Sequence, residues 1–243
     1  MKIKQATNRK EIRRLGQKKW FEHVKVLVDL TSYLDDLIPD GCFKFNNNIE
    51  NVICLPTTQI FGQESFQYCS NLKLVDATPA SIGKFAFQNC SNLKQFNFSQ
   101  VVYIDENAFE NSGLETVDLK NAYLIPNYAF ASCFNLKSIH LGKARMIQIA
   151  AFSNAMIQKL FIPETVEIID QSAFENNTFL TDVILSGTLV PKIHERAFEN
   201  CPIRNVWIIN QSAIDSFKNE LPKNLSCKIH EVQKPIDLLP LLN

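Results

Sequence analysis

One phenylalanine recurs through most of the chain at an almost constant interval. The members of this column are Phe43, Phe66, Phe87, Phe109, Phe130, Phe152, Phe174 and Phe198. Their successive spacings are 23, 21, 22, 21, 22, 22 and 24 residues. A fixed period of this length is typical of a solenoid, in which each unit buries its apolar side against the next. The chain is therefore expected to contain eight stacked units.

Three further columns keep the same register. A small residue precedes each phenylalanine, at Cys42, Ser65, Ala86, Ala108, Ala129, Ala151, Ala173 and Ala197. Five residues ahead of it stand Ile38, Phe61, Ile82, Ile104, Ile125, Ile147, Ile169 and Ile193. Five or six residues after it stand Ile49, Leu72, Leu93, Leu114, Leu136, Ile157, Leu180 and Ile203. Stacking turns each column into a continuous apolar ladder.

The end of each repeat alternates between apolar and polar residues. In the segment 114–119, Val117 and Leu119 are apolar and flank Asp118. This period of two predicts a short strand with one buried face. One such strand per repeat would form a parallel sheet of eight strands, about 34 Å across, whose outer side is the concave face.

The repeat pattern resembles that of a known family. The pattern Ile-x4-Phe-x2-Cys-x2-Leu-x2-Val-x-Leu, complete in spacing from Ile82 to Phe98, resembles the BspA-like leucine-rich repeats. The resemblance runs from Ile38 to Ile209, and the segment 208–218 is similar to the degenerate unit that closes such arrays. It implies a curved leucine-rich-repeat solenoid of the α/β class, with mostly short parallel strands, turns or 3-10 segments, and terminal caps. It also implies protein recognition, no shared catalytic residues, and relatives displayed on cell surfaces.

Three regions are expected: an N-terminal cap at 1–35, eight repeats at 36–209, and a degenerate C-terminal cap and tail at 210–243. Residues 2–25 hold nine Lys or Arg against Glu11 and Glu22. The apolar residues of this region fall at helical spacing, at Trp20, Val24, Leu27 and Val28. They predict a basic amphipathic helix that covers the first repeat. Its basic side could also meet nucleic acid, an anionic membrane or an acidic partner.

The segment 235–242 is apolar and contains two prolines. We expect it to lie along the last coil, where it would cover an open strand edge. The alternative is an extended peptide that docks in another protein.

Charge and composition exclude several classes of protein. The chain has 25 basic and 25 acidic residues, so it lacks the excess charge of a dedicated nucleic-acid binder. No apolar run is long enough to span a bilayer. The N-terminus shows no apolar core of a signal peptide, which favours a cytoplasmic location, with the cell surface as the alternative.

No cofactor or metal is expected. The cysteines that stand three residues after the repeat phenylalanine, Cys69, Cys90, Cys133 and Cys201, share their column with Ala, Ser and Asn. They are interpreted as buried thiols in a packing column, because residues in a row do not form the tetrahedron that zinc requires. The Ser-x-x-Lys pattern at Ser70 and Ser91 repeats with the array, so it predicts no nucleophile, and enzymatic activity is not expected.

The candidate partner site is a row on the outer side of the sheet. The residue between the two buried positions of each strand is, in order, Ile53, Asp76, Asn97, Asp118, His140, Phe161, Ile184 and Trp207. Phe161, Ile184 and Trp207 would form an exposed apolar stripe at one end. Asp76 and Asp118 would favour positive charge, and His140 lies at the junction. The stripe could instead be covered by the C-terminal tail, or it could form a homodimer.

The sequence thus predicts an intracellular, non-enzymatic scaffold that binds a protein or peptide on its concave sheet. The alternative is a secreted or surface-attached protein of the adhesin type.

Overall fold

The protein is a parallel β-solenoid. We describe a computed structural model over residues 2–17, 26–33 and 35–231. Every strand pair is parallel, and each strand pairs with its counterpart in the next coil. This confirms the solenoid that the repeat predicts.

The chain opens with β1 (Lys2–Gln5), α1 (Arg9–Gln17) and β2 (Val26–Leu30). Two strands then alternate in most repeats: β3 (Leu37–Ile38), β4 (Ile49–Cys54), β5 (Ile60–Phe61), β6 (Leu74–Asp76), β7 (Ser81–Ile82), β8 (Tyr103–Ile104), β9 (Thr116–Asp118), β10 (Leu124–Ile125), β11 (Ser138–His140), β12 (Met146–Ile147), β13 (Lys159–Ile162), β14 (Ile168–Ile169), β15 (Asp182–Leu185), β16 (Lys192–Ile193) and β17 (Asn205–Ile208). A 3-10 turn (Gln211–Ala213), α2 (Ile214–Glu220), α3 (Lys223–Ser226) and β18 (Ile229–Glu231) follow.

The strands build two faces of the solenoid. The main sheet contains the predicted strands in three blocks, β1-β2-β4-β6, β9-β11 and β13-β15-β17-β18. The minor sheet contains two-residue strands in two blocks, β3-β5-β7-β8 and β10-β12-β14-β16. The prediction of one strand per repeat is therefore wrong. The isoleucine column itself pairs between coils, because one buried residue and its outward neighbour suffice for a short ladder.

The main sheet is interrupted at the repeat that contains Phe96, Asn97 and Phe98, where no strand is formed. Phe96 occupies the inward position at which other repeats carry Val, Ile or Leu. Its ring packs 5.1 Å from the rings of both Phe87 and Phe109. The interruption coincides with these added rings in the interior.

The repeat phenylalanines form one continuous stack through the core. Successive rings lie 5.0–5.5 Å apart between centroids, and six of the seven pairs are within 10° of parallel. The small residue before each ring is also buried. The spacing of about one strand separation leaves no room for a larger side chain in that column.

The turn around each phenylalanine carries a third backbone ladder. Residues two positions before and after Phe66, Phe87, Phe109, Phe130, Phe152 and Phe174 have positive φ, between 52° and 62°. In the turns around Phe66, Phe87, Phe109, Phe130 and Phe152, the phenylalanine and these two neighbours donate their N–H groups to carbonyls of the next repeat, as in Phe87 to Ala108, at 2.7 Å. A positive φ is energetically unfavourable for residues other than glycine. Here it orients alternate N–H groups toward the neighbouring coil.

The N-terminal region differs from the expected helix. The helix α1 ends at Gln17, and Leu27 and Val28 lie in strand β2. The run 26–30 alternates between buried and half-buried residues, so its period of two and its β-branched residues favour a strand that pairs with β4. Trp20 and Val24 lie outside the described residues.

At the other end, the degenerate unit forms the 3-10 turn, two short helices and β18, which pairs with β17. The expected packing of the segment 235–242 falls outside the described residues. The domain boundaries at 35/36 and 209/210 stay predictions.

We predict that Phe109→Ala strongly destabilises the fold. The ring is fully buried between Phe87 and Phe130. Its loss removes two stacking contacts and leaves a cavity, so we expect a loss of about 3–5 kcal/mol in the free energy of unfolding. Urea unfolding followed by circular dichroism measures it. Phe134→Ala is the control, because Phe134 is 57% exposed and should change stability by less than about 0.5 kcal/mol. Equal effects of the two substitutions would contradict the stacked core.

Candidate functional site

The strand register brings most of the predicted row together. Phe161 pairs with Ile184, and Ile184 pairs with Trp207. Asp118 pairs with His140 in the preceding block. Asp76 lies in a separate block, because the repeat that contains Asn97 forms no strand. The row is therefore continuous from Phe161 to Trp207, whereas Asp118 with His140, and Asp76, lie in separate blocks.

The acidic part of the row is a compact charged cluster. The Oδ1 atom of Asp118 lies 2.7 Å from Nδ1 of His140, and its Oδ2 lies 3.1 Å from Nζ of Lys120. Partial burial acts to raise the pKa of Asp118, but the hydrogen bonds from His140 and Lys120 outweigh it and hold that pKa below its usual range. Asp118 thus stays ionised at neutral pH and balances the positive charge of Lys120. Asp76 is exposed.

The apolar part differs from the expected exposed stripe at its centre. Ile184 is 1% exposed, whereas Phe161 and Trp207 on the flanking strands are half-buried. The indole Nε1 of Trp207 donates a hydrogen bond to Oδ1 of Asp182, at 3.1 Å. Since Asp182 lies on the same strand as Ile184, the indole leans across that strand. Ile184 is therefore part of the packing between two aromatic rings and offers no free surface.

Asp182 organises this end of the row. Its carboxylate also accepts hydrogen bonds from Asn205, at 2.8 Å, and from the hydroxyl of Thr181, at 2.7 Å. Partial burial acts to raise the pKa of Asp182, but the hydrogen bonds from Thr181, Trp207 and Asn205 outweigh it and lower that pKa. A carboxylate that is satisfied in this way fixes the position of the Trp207 ring.

The row continues by one residue that the sequence reasoning missed. His230 of β18 pairs with Trp207, and the two ring centroids lie 5.1 Å apart. The repeat loses its phenylalanine after Phe198, so the column pattern gave no register for β18. The apolar part of the row is thus flanked by His140 on one side and His230 on the other.

A second exposed apolar surface lies on the minor sheet, and the sequence reasoning missed it too. Tyr103 and Tyr123 are 52% and 54% exposed. The surface, here called the minor-sheet patch, consists of the exposed apolar residues in and directly before strands β8 and β10, which are Val102, Tyr103, Tyr123 and Leu124. The sequence contains a signal for this patch. The residue before each buried isoleucine must point outward, and it is apolar at Tyr103 and Leu124.

A shallow groove of about 510 Å³ adjoins this patch. Tyr123, Val166, Leu189 and Pro191 give it apolar walls, and Leu189 is 83% exposed. Arg145 also lines the groove and forms an ion pair with Glu167, with Nε 2.9 Å from Oε1. The groove extends the minor-sheet patch toward the C-terminal coils.

The cysteine column has a polar role besides its packing role. The thiol of Cys69 donates to the carbonyl oxygen of Phe43, at 3.0 Å, and Cys90 donates to that of Phe66, at 3.2 Å. Asn177 replaces cysteine in its repeat and donates to the carbonyl of Phe152, at 2.9 Å. The column thus accepts small residues and also supplies donors to the turn of the preceding coil.

Burial raises the pKa of these thiols. It is about 12 at Cys69 and about 11 at Cys133, which disfavours the thiolate that metal binding and redox chemistry require. Within residues 2–17, 26–33 and 35–231, no group of three His, Cys, Asp or Glu side chains could hold a metal ion.

The Ser-x-x-Lys pattern does not assemble a nucleophile in the structure. The hydroxyl of Ser70 bonds to the side-chain oxygen of Asn47, at 3.0 Å. Lys73 instead pairs with Glu50 of the neighbouring coil, at 3.2 Å. Both side chains therefore tie adjacent coils together.

Comparisons with known proteins define the family. The family model described as "BspA type Leucine rich repeat region (6 copies)" matches residues 36–144, 75–178 and 104–226. The chain therefore belongs to the BspA-type leucine-rich-repeat family, as the sequence resemblance predicted. No curated protein has a significantly similar sequence.

Solved structures with this fold include a leucine-rich cell surface protein from Faecalibacterium prausnitzii. It is 16% identical, with a TM-score of 0.54, and the match covers 86% of each chain. A leucine-rich repeat protein from Bacteroides ovatus is also 16% identical, with a TM-score of 0.49. That match covers 79% of this chain but only 65% of the B. ovatus chain. In the described part of this chain, no helix is long and apolar enough to cross a membrane.

We predict that the thiols separate into reactive and protected groups. Cys227 is exposed and should react at once with a thiol reagent at pH 8, whereas Cys42, Cys54, Cys69, Cys90 and Cys133 should react only after unfolding. Cys201 is partly buried, and its raised pKa of about 11 should make it slow. Mass spectrometry after timed labelling measures this order. Rapid labelling of Cys69 or Cys133 in the folded protein would contradict the buried column.

We also predict that Asp182→Ala releases the Trp207 ring. Without its acceptor the indole should become more exposed to water, and its fluorescence emission should shift to longer wavelength. The measurement uses a Trp20→Phe background, so that Trp207 is the single reporter. Asp170→Ala is a control on another strand connection. An unchanged spectrum would show that the hydrogen bond does not position the ring.

Proposed function

We propose that this protein is a non-enzymatic scaffold that binds a protein or peptide on the outer side of its main sheet. Family membership supports the general role, because leucine-rich-repeat proteins commonly bind other proteins on their repeat surfaces. The observation that carries the particular site is the row in which Phe161, Ile184, Trp207 and His230 occupy hydrogen-bonded neighbouring strands, with His140 on β11 in the coil before them.

The proposed contacts divide the row into two parts. Phe161 and Trp207 provide aromatic surface on a rigid sheet, and Asp182 holds the indole in place. Aromatic residues of this kind are common anchors in protein interfaces. Asp76 adds exposed negative charge toward the N-terminal end, whereas the charge of Asp118 is balanced by Lys120. The preferred ligand is therefore an extended segment with an apolar centre and a positively charged flank.

Phage-displayed random peptides selected against the wild-type protein test this site. We expect the selected peptides to combine aromatic or aliphatic residues with Lys or Arg. Phe161→Ser with Trp207→Ser should weaken their binding by at least about tenfold, because a buried aromatic anchor commonly contributes more than 1 kcal/mol. Ile184 is left unchanged, because its burial gives it a role in folding. Asp76→Lys should weaken the binding of those selected peptides that carry basic residues.

The matched control changes the other apolar surface, with Tyr103→Ser, Tyr123→Ser and Leu124→Ser. Thermal melting verifies that each variant is folded. If the selected peptides keep their affinity for the row variant but lose it for this control variant, the binding site is the minor-sheet patch. That patch is the second candidate, and the exposure of its three central side chains favours it.

Homodimerisation through the row is a separate outcome. Light scattering after size exclusion would show a dimer in the wild type and a monomer in the row variant. Such a result would replace the peptide ligand by a second copy of the chain.

Location is part of the same proposal. The cytoplasmic location expected from the sequence stays a prediction, and the F. prausnitzii structural neighbour is described as a cell surface protein. A surface role is therefore the alternative. Protease treatment of intact cells separates the two, because only a surface-exposed pool would be degraded.

A further inference from the structure

The two sheets differ in the residues that they turn outward. Each of the eight minor-sheet strands has two residues, of which the second belongs to the inward column that begins at Ile38 and the first points outward. The outward residue is apolar in six of these strands, at Leu37, Ile60, Tyr103, Leu124, Met146 and Ile168. Ser81 and Lys192 occupy the other two strands. We call these eight residues the minor-sheet column.

The main sheet provides a comparison within the same chain. Its outward row in the second to fifth repeats carries Asp76, Asn97, Asp118 and His140, which are polar residues typical of a face in contact with water. A parallel strand that is apolar on both of its faces is typical of a sheet covered on both sides. The minor sheet therefore has the composition of a sheet whose outer face is covered.

Backbone pairing aligns the minor-sheet column from coil to coil. Leu37 pairs with Ile60 in the first block, and Leu124 pairs with Met146 in the second. The two blocks meet between β8 and β10, at the exposed side chains of the minor-sheet patch. One outward side chain per coil, at a strand spacing of about 4.8 Å, gives a stripe about 34 Å long.

The spacing of this stripe favours a second copy of the chain as its cover. The column of another copy repeats at the same interval, so the side chains of the two copies can interdigitate along the whole stripe. An extended peptide lying along the stack presents side chains to one face every 6.7 Å or about that distance, and it would lose register with the coils within a few residues.

We propose that two copies of this chain form a dimer through their minor-sheet columns, with the stacks antiparallel about a two-fold axis. The axis crosses the column between the coils of Phe109 and Phe130, which are the fourth and fifth. Tyr103 then packs on the partner's Leu124, and the minor-sheet patch lies at the centre of the interface, where contacts contribute most to affinity.

Charge at the ends of the column favours the antiparallel orientation. Asp36, directly before Leu37, is exposed at the N-terminal end, and Lys192 is exposed at the C-terminal end. In a parallel pair each of these charges would face its own copy. The antiparallel pair brings Asp36 beside the partner's Lys192 at both ends. The other charged neighbours of the column, Arg145 and Glu167, form an ion pair with each other.

The carboxylates directly after the inward column favour the same orientation. They are Asp105 in the fourth coil and Asp170 in the seventh. In a parallel pair each would face its own copy, which is unfavourable. In the antiparallel pair they face the partner's Pro126 and the partner's Gly62, which are uncharged.

One like-charge contact remains in the antiparallel pair. Asp40 of the first coil lies two residues past Ile38 and approaches the partner's Glu195 of the eighth coil. The carboxylate of Asp40 accepts the backbone N–H of Gln63, at 2.8 Å, which holds it on its own stack. Glu195→Lys should therefore tighten the dimer, because it replaces this repulsion by an attraction.

The dimer leaves the candidate partner row accessible, because that row lies on the main sheet. Each dimer would carry two copies of the row. The proposal does not depend on peptide binding to the row and can succeed or fail independently of it.

Sedimentation velocity of the full chain between about 1 and about 100 µM tests the proposal. The interface comprises about 16 residues per copy, fewer than the 20–30 of a standard interface, so we expect a dissociation constant in the micromolar range. Tyr103→Glu with Leu124→Glu places like charges opposite each other across the axis and should weaken the dimer by at least about 100-fold. A wild-type protein that stays monomeric at about 100 µM would overturn the proposal.

The matched control places two glutamates on the main sheet of the same two coils. Thr116→Glu with Ser138→Glu changes exposed residues that pair with each other in β9 and β11. This variant has the same net charge as the first and should keep the wild-type dissociation constant, as should Phe161→Ser with Trp207→Ser. Equal losses in the two glutamate variants, or a loss confined to the row variant, would show that the minor sheet is not the interface. Thermal melting verifies that every variant is folded.

A charge swap tests the orientation of the two stacks. Asp36→Lys and Lys192→Asp should each weaken the dimer several-fold, because each creates a like-charge contact with the unchanged residue at the other end. The double variant restores the opposite charges and should regain the wild-type affinity. If the double variant binds no better than either single variant, the stacks are not antiparallel and the proposal is wrong.

Discussion

The stack of phenylalanine rings is the constraint on which the other features depend. Rings about 5 Å apart from coil to coil require that every coil advance by one strand spacing. That advance allows the backbones of both sheets and of the turn to hydrogen-bond between coils. It also explains the small column beside the rings, because a larger side chain would force neighbouring coils apart. The strained left-handed residues beside the rings persist because inter-coil hydrogen bonds from the turns accompany them, three in each turn from Phe66 to Phe152.

The sequence predicts the interior of this fold well and its exterior less well. Interior residues repeat every 21–24 positions, so the columns at Phe109, Ile125 and Leu136 identify themselves by recurrence. The sequence does not predict the second strand of the repeats, because a strand of two residues shows no periodicity of its own. The spacing of Leu27 and Val28 from Trp20 and Val24 predicts a helix, whereas these two residues lie in β2, whose pairing with β4 is a tertiary effect.

The candidate site illustrates the same limit. Alternation within the strands placed Phe161, Ile184 and Trp207 on one face, and the register confirms that they are neighbours. The alternation of apolar and polar residues does not predict whether a large side chain covers the residue on the neighbouring strand. The hydrogen bond from Trp207 to Asp182 draws the indole across the intervening strand, and Ile184 becomes buried on a face that is nominally exposed. His230 was missed because it follows the repeat that no longer carries the phenylalanine.

Because the interior is filled by stacked rings, only the rows of residues that point outward are accessible to a ligand. Any substitution of a ring or of its small neighbour affects two adjacent coils, whereas outward residues such as His140 or Tyr123 can vary without changing the stack. The two outward surfaces described here differ in chemistry: an aromatic row between histidines and a tyrosine-rich patch. They also lie on different sides of the stack, since the row is on the main sheet and the patch is on the minor sheet. Contact on one side of the stack thus leaves the other side accessible.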